Sequence, residues 1–211
     1  MAAPIAARSR HRMQVDGQGV TTLVCFHGCP LRCHWCINPF TLEPDAKKEI
    51  LTPRELYDAV RIDELYFLAT GGGVTFGGGE PLLYSDFLQE FRELCGNHWH
   101  LCAETSLNVP WENVAQAAGC IDHFYIDCKD TDPEIYQRYT GRDNARMLSN
   151  LQRLLEAIGP ERITLRIPLI PEFNTPEDQR RSQAFLQALG VVNFDLFTYK
   201  TTHKQKGCLQ K

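Results

Sequence analysis

An α/β fold with a parallel sheet is predicted by three observations. Six apolar, strand-like runs alternate with helical patterns along the 211-residue chain, which calls for right-handed crossovers between parallel strands. The runs are largely apolar along their length, as strands buried on both faces are. The unusual polar residues fall at the C-terminal ends of these runs, the edge where ligand sites gather in parallel α/β proteins.

The N-terminal stretch from Met1 to Arg12 contains arginines but no acid and no apolar core long enough for a secretion signal, and it is read as a frayed end. Val15-Asp16-Gly17-Gln18-Gly19 is a tight turn by its glycines, or else it brings Asp16 to the mouth of a site. Val20 to Phe26 is the first strand, rich in β-branched and apolar residues. Thr52 as N-cap, Pro53 at the first helical position and Glu55 three residues after the cap open a helix that runs to about Ala69. Gly71-Gly72-Gly73 ends it. Strand Val74–Phe76 precedes Gly77-Gly78-Gly79-Glu80-Pro81, and a helix covers 82–95. Then come strand 101–105, helix 110–118, strand 124–129, helices 133–139 and 145–158, strand 165–170, helix 176–189 and a last strand, 194–199.

Hydrophobic residues make up 43% of the chain and charged residues 23%, with a formal net charge of -4. This balance predicts a globular protein without bulk attraction to nucleic acid or anionic membrane. No apolar run reaches the roughly 18 residues of a membrane span. Nine cysteines without a secretion signal point to a reducing, cytoplasmic setting and metal chemistry rather than a disulfide scaffold.

The chemistry centres on Gly28-Cys29-Pro30-Leu31-Arg32-Cys33-His34-Trp35-Cys36. Its C-x3-C-x2-C spacing on a loop leaving the first strand lets three thiols converge. Thiolates select zinc, copper(I) or iron–sulfur clusters. Zinc would need a fourth ligand, which His27 or His34 could supply. A cluster on three cysteines would leave one iron open to another molecule. The loop by itself leaves both readings standing. Cys25 reads as a buried strand residue, and Cys95, Cys102, Cys120, Cys128 and Cys208 lack close spacing and read as buried or inert thiols.

Other strand ends carry further polar groups. Gly77 to Glu80 is a strand-to-helix turn, or a backbone open to a close ligand with an acid to meet an ammonium. Asp127 and Lys129 share one face of a strand, as a surface ion pair or as contacts for ribose and carboxylate. Trp35 is core filler or a stacking surface. Glu104, Thr105, Arg166, Tyr199 and Lys200 complete the set.

With these motifs, the sequence resembles the radical S-adenosylmethionine superfamily, and within it the activating enzymes of glycyl radical enzymes, of the pyruvate formate-lyase activase type. The residues that carry the likeness are DGQG at 16–19, GCPLRCHWC at 28–36, GGGVTFGGGEPLL at 71–83, IDCKDTDPEIYQRYTG at 126–141 with Asn144, Asn150 and Leu151, and RIPLIPEFN at 166–174. The resemblance implies a partial, TIM-like (βα)6 barrel occupying 15–200, between a flexible N-terminus over 1–14 and a tail over 201–211. It implies a [4Fe–4S] cluster on Cys29, Cys33 and Cys36, with S-adenosylmethionine on the open iron. Gly78, Gly79 and Glu80 would take the methionine amino group, Lys129 its carboxylate and Asp127 the ribose, while Trp35 and Ile37 flank the adenine. Cys36, Glu104, Cys128, Arg166 and Lys200 fall among the implied cofactor contacts, and Lys129 and Asp16 are the implied catalytic residues. Glu104, Thr105, Tyr125 and Asp127 match a monovalent-cation site.

The implied reaction is reductive cleavage of the cofactor to methionine and a 5′-deoxyadenosyl radical, which takes a hydrogen from a backbone glycine of a partner glycyl radical enzyme. The electron comes from flavodoxin or ferredoxin, and a monomer is expected. The sequence departs from the family where Thr21 replaces an Arg, Glu104 an Asp, Tyr136 a His, and Lys200 the His that often follows the last strand's Tyr. These changes bear on the partner more than on the radical chemistry. A radical enzyme acting on a small molecule, such as a deazapurine synthase, would share the cysteine loop. A zinc-stabilised binding domain is the alternative of a different class.

Overall fold

The computed structural model describes residues 1–199. Lys200, Cys208 and the tail expected over 201–211 lie outside the described residues. The fold is an open, mostly parallel α/β sheet with helices between its strands. The described chain divides into two compact units, one of Met1–Cys29, Asn38–Thr105 and Val109–Tyr125, the other of Pro30–Ile37, Ser106–Asn108 and the chain from Ile126 onward. The units interleave along the chain, with no one stretch separating them.

In the first unit, β1 (Ala3–Met13), β2 (Val20–Phe26), β3 (Glu49–Leu51), β4 (Gly73–Gly78) and β5 (His100–Thr105) lie in the order β3-β1-β2-β4-β5. The pairs β2–β4 and β4–β5 are parallel. The expected frayed end is instead β1, antiparallel to both β2 and β3. Ala3 and Ile5 are buried, and Arg10 forks onto the buried carboxylate of Asp63, Nη2 to Oδ1 at 2.6 Å and Nε to Oδ2 at 2.7 Å. His11 bonds the same carboxylate at 2.9 Å. The basic run that looked like a solvated end is thus the strand's anchor.

Asp63 also accounts for a second difference. The expected helix over 52–69 is two helices, α1 (Pro53–Val60) and α2 (Glu64–Thr70), separated by a 3-10 turn at Arg61–Asp63. The turn carries the Asp63 carboxylate that β1 binds. The expected capping box at Thr52 and Glu55 is present, and Gly71 closes α2 at φ +68°. The remaining elements here are α3 (Ser85–Cys95) and α4 (Trp111–Ala118). Phe87, Leu88, Phe91 and Cys95 of α3 are buried at helical spacing. The core is aromatic, with Phe76 edge-on to Phe91 at 5.3 Å and Trp99 stacked on Tyr57 at 5.1 Å.

The strand β6 (His123–Asp127) runs from the last residues of the first unit into the second. The second unit continues with α5 (Pro133–Thr140), α6 (Ala145–Ile158), β7 (Ile163–Leu169), α7 (Pro176–Ala188) and β8 (Asn193–Thr198). β7 and β8 pair in parallel, Leu165 opposite Phe194 through Leu169 opposite Thr198. α6 buries Met147, Asn150, Leu151 and Leu154, one face of a helix. No helix among the described residues is long and apolar enough to cross a membrane.

Candidate functional site

In the first unit, β2 and β4 end side by side, with Phe26 opposite Gly78. The two loops leaving them are stitched together by backbone bonds. The Gly79 amide donates to the Phe26 carbonyl at 2.9 Å and the Glu80 amide to the Gly28 carbonyl at 2.8 Å. Gly28 in turn donates to Thr41 at 2.8 Å, and Asn38 Nδ2 donates to the Gly78 carbonyl at 3.2 Å. The base of the loop that carries Cys29 is therefore held on both sides.

This packing explains the glycine run. A Cβ on Gly79 would stand 2.2 Å from the Gly28 carbonyl oxygen, and one on Gly78 (φ +85°) would stand 2.6 Å from Cys25 Cα. The glycines serve close backbone approach, and the Gly79 and Glu80 amides, expected to be open to a ligand, are spent on the neighbouring loop. Glu80 is 1% exposed. Its Oε1 accepts from the Thr105 hydroxyl at 2.7 Å and from the Leu82 amide at 3.2 Å. Glu104 lies beside Gly77, where a Cβ would stand 2.8 Å from its Oε2.

Asp16 does not stand at an open mouth. It is 5% exposed and paired with the Arg12 guanidinium, while its carbonyl accepts from the Thr75 hydroxyl at 2.6 Å. The glycines of the turn are used as the bland reading expects, with Gly19 at φ +65°. The burial of Asp16 comes from Arg12 on β1, the strand that the sequence concealed.

In the second unit, Asp127 and Lys129 form the centre of a linked polar group. The Lys129 ammonium donates to Asp127 Oδ2 at 2.9 Å and to the Tyr199 hydroxyl at 3.0 Å. Arg166 Nε donates to Asp127 Oδ1 at 2.8 Å. Burial works to raise the Asp127 carboxyl, but the charges of Arg166 and Lys129 outweigh it and hold it down at about 2. Burial is the largest single influence and works to lower Lys129, but the Asp127 charge together with the neighbouring Tyr199, Cys33 and Tyr139 raises it on balance and keeps the amine protonated. An ammonium has three N–H donors. Two are assigned here, and the third has no acceptor among the described residues. Tyr199 is the residue of this group that carried no assigned role in the sequence. Only its place after the last strand, in the stretch Tyr199-Lys200, hinted at it.

The cysteine loop from Pro30 to Ile37 is tied to the end of α5, with the Arg32 amide donating to Thr140 at 2.8 Å and the His34 amide to Tyr139 at 3.0 Å. Cys36 donates its amide to the Cys33 carbonyl at 3.2 Å. Trp35 follows the core-filler reading. It is 3% exposed, packed with Tyr139 and Ile170, with Cys33, Phe173 and Tyr199 against the same cluster. Its indole N–H has no partner among the described residues. Ile37 is exposed.

The eight described cysteines sort into two sets. Cys29, Cys33 and Cys36 are half-buried and outside any disulfide, whereas Cys25, Cys95, Cys102, Cys120 and Cys128 are buried. Burial pushes Cys25 and Cys95 up to about 11 and Cys102 and Cys120 to about 12, and it raises Cys128 further. Cys128, implied as a cofactor contact, has a buried thiol, and its amide donates to the Arg166 carbonyl at 3.0 Å. Cys33 is also raised by burial to about 11, with Lys129 acting against the rise. Among the described residues no three His, Cys, Asp or Glu side chains are gathered as ligands of a single metal ion.

A family model described as the Radical SAM superfamily matches residues 23–179. The (2S)-3-sulfopropanediol dehydratase activating enzyme of Klebsiella oxytoca is 30% identical over 220 residues, covering 75% of this chain and 69% of that protein. The pyruvate formate-lyase-activating enzyme of Staphylococcus epidermidis is 31% identical over 203 residues, covering 91% and 80%. Among solved structures, Streptococcus suis SuiB bound to S-adenosylmethionine superposes with a TM-score of 0.66 at 15% identity, over 90% of this chain and 44% of that one. This chain thus spans less than half of SuiB, and the likeness is one of fold.

Proposed function

The chain belongs to the radical SAM superfamily, and from that premise we propose that it is an activating enzyme that removes a hydrogen from a backbone glycine of a partner glycyl radical enzyme. The family implies a [4Fe–4S] cluster and S-adenosylmethionine, which together supply reductive cleavage of a carbon–sulfur bond and a hydrogen-abstracting radical. Cys29, Cys33 and Cys36 are the proposed cluster ligands. Their thiols, half-buried where the other described cysteines are buried, suit that role.

The observation that carries the reading is the Lys129 ammonium. It is 5% exposed, kept charged by Asp127 and held by two bonds, with one donor left for an incoming carboxylate. Lys129 is proposed to orient the methionine carboxylate. Asp127, whose carboxylate stays ionised, accepts from ribose hydroxyls. In the first unit, Glu80 is proposed to take the methionine ammonium, and Glu104 and Thr105 offer oxygens to a monovalent cation. Asp16 steadies the loop before β2 through Arg12. The electron donor is proposed to be a flavodoxin or ferredoxin, and the protein a cytoplasmic monomer.

The test is anaerobic reconstitution with iron and sulfide, followed by dithionite and S-adenosylmethionine. The expected product is 5′-deoxyadenosine, and addition of candidate glycyl radical enzymes should yield a glycyl radical by electron paramagnetic resonance. Bound zinc without iron uptake would sink the proposal. Turnover of a small molecule with no radical on any protein partner would move it to the other branch of the superfamily.

A further inference from the structure

We propose that Tyr199 is a positioning residue that holds the Lys129 ammonium in place for the cofactor carboxylate. The proposal rests on the reading of function above and adds a residue to it. Lysine carries its charge on a flexible four-carbon stem, so one bond to Asp127 leaves Nζ free to swing about that contact. The Tyr199 hydroxyl supplies a second fixed point at 3.0 Å. With two donors anchored, the direction of the third is set.

Tyr199 is itself held from three sides. Its amide donates to the Leu169 carbonyl at 2.9 Å, carrying the β7–β8 pairing one residue past the strand. Its ring lies 5.6 Å from Phe197 and 6.2 Å from Tyr139. It also packs on the cluster of Trp35, Tyr139 and Ile170 that supports Cys33. The Lys129 ammonium sits 5.4 Å from the ring centroid, out beyond the hydroxyl that it meets at 3.0 Å, so the hydroxyl is the part of Tyr199 that faces the charge. The same hydrophobic cluster thus bears on a thiol of the cysteine loop and, through the phenol, on the lysine.

The test compares the full chain with Tyr199→Phe, which keeps the ring and removes the hydroxyl, and with Tyr199→His, which restores a ring acceptor. One readout is equilibrium binding of S-adenosylmethionine to the reconstituted protein by calorimetry. The other needs no cofactor: the rate of reductive methylation of Lys129 with labelled formaldehyde, followed by NMR and assigned by loss of the signal in Lys129→Arg. Tyr199→Phe is expected to bind S-adenosylmethionine about ten-fold more weakly and to methylate faster at Lys129, with unchanged iron content and a folded melting profile. Tyr199→His is expected to recover part of both. A purely packing role would leave the affinity of Tyr199→Phe unchanged, and unchanged affinity overturns the proposal whatever the methylation rate. Unchanged methylation overturns it as well. If the unaltered protein binds no S-adenosylmethionine, the reading of function fails first and takes this role with it. Should Tyr199→Phe not fold, the same two readouts on Tyr199→His decide, where weaker affinity with faster methylation and a native fold supports the proposal and native affinity and rate overturn it.

Discussion

The amide of Glu80 donates to the carbonyl of Gly28 at 2.8 Å, one residue before the first cysteine of the motif. This bond joins two sequence motifs that lie on different loops, and it makes Gly79, between β4 and Glu80, a requirement of packing.

Gly79→Ala would place a Cβ 2.2 Å from the Gly28 oxygen, with backbone on both sides. The expected cost is about 2 kcal/mol or more, since neither loop can yield without breaking the stitch. Iron uptake should fall with it. Gly119→Ala is the control: Gly119 has φ -79° and a Cβ there would meet its nearest atom at 3.4 Å, so stability should move by less than about 1 kcal/mol. Chemical denaturation of both variants, with iron analysis after reconstitution, checks this.

Cys33→Ala should abolish cluster loading and 5′-deoxyadenosine formation. Cys128→Ala should retain iron at the native level, because that thiol is buried and held protonated. Iron content and visible absorption after reconstitution separate the two. Equal loss of iron in both variants would remove the distinction between the two cysteine sets.

Asp127 makes stability depend on acid. Its carboxyl is held at about 2 against an ordinary 3.8, by Arg166 and Lys129 against the effect of burial. A depressed carboxyl contributes stability that is complete above its unfolded value and is lost as pH falls through the folded one. The window is therefore from about pH 4 down to about pH 2, and the amount is on the order of 2 kcal/mol. Arg166 and Lys129 stay charged throughout that range. Urea unfolding as a function of pH should show this slope, and Asp127→Asn should flatten it while lowering stability at neutral pH.

Asp63→Ala should release β1. The Asp63 carboxylate is held below its ordinary value, chiefly by the Arg10 hydrogen bond, and is the shared acceptor for Arg10 and His11. Without it, amides of residues 8–13 should exchange about ten-fold faster or more while those of β4 and β5 keep their protection. Native protection of β1 in this variant would show that ladder bonds alone hold the strand.

Several elements could be read without coordinates because local chemistry specifies them. Thr52 caps α1 through its own side chain and Glu55, and the apolar runs became β2 and β4 to β8 within a residue or a few. The C-x3-C-x2-C spacing likewise lies within one loop, so the proposed cluster cysteines were separable from the rest by spacing alone. Burial later divided them the same way.

Other features depend on partners far away in the chain. The run from Arg8 to Arg12 is as polar as a solvated tail, and it is a strand because β2 pairs with it and because Asp63, 53 residues on from Arg10, needs a cation. Asp16 read as part of a turn or of a site mouth, and Arg12 on that strand pairs with it; Trp35 read as core filler or a stacking surface, and it packs with Tyr139 and Ile170. Tyr199 meets Lys129 across 70 residues of sequence. By itself the sequence determined the alternation of strands and helices, the cysteine spacing and the family those motifs point to, because periodicity and short-range ligand geometry are properties of neighbours. Only the tertiary structure decided which polar side chains are buried and paired, because the burial of a charge is settled by whichever opposite charge or hydroxyl the fold carries to it.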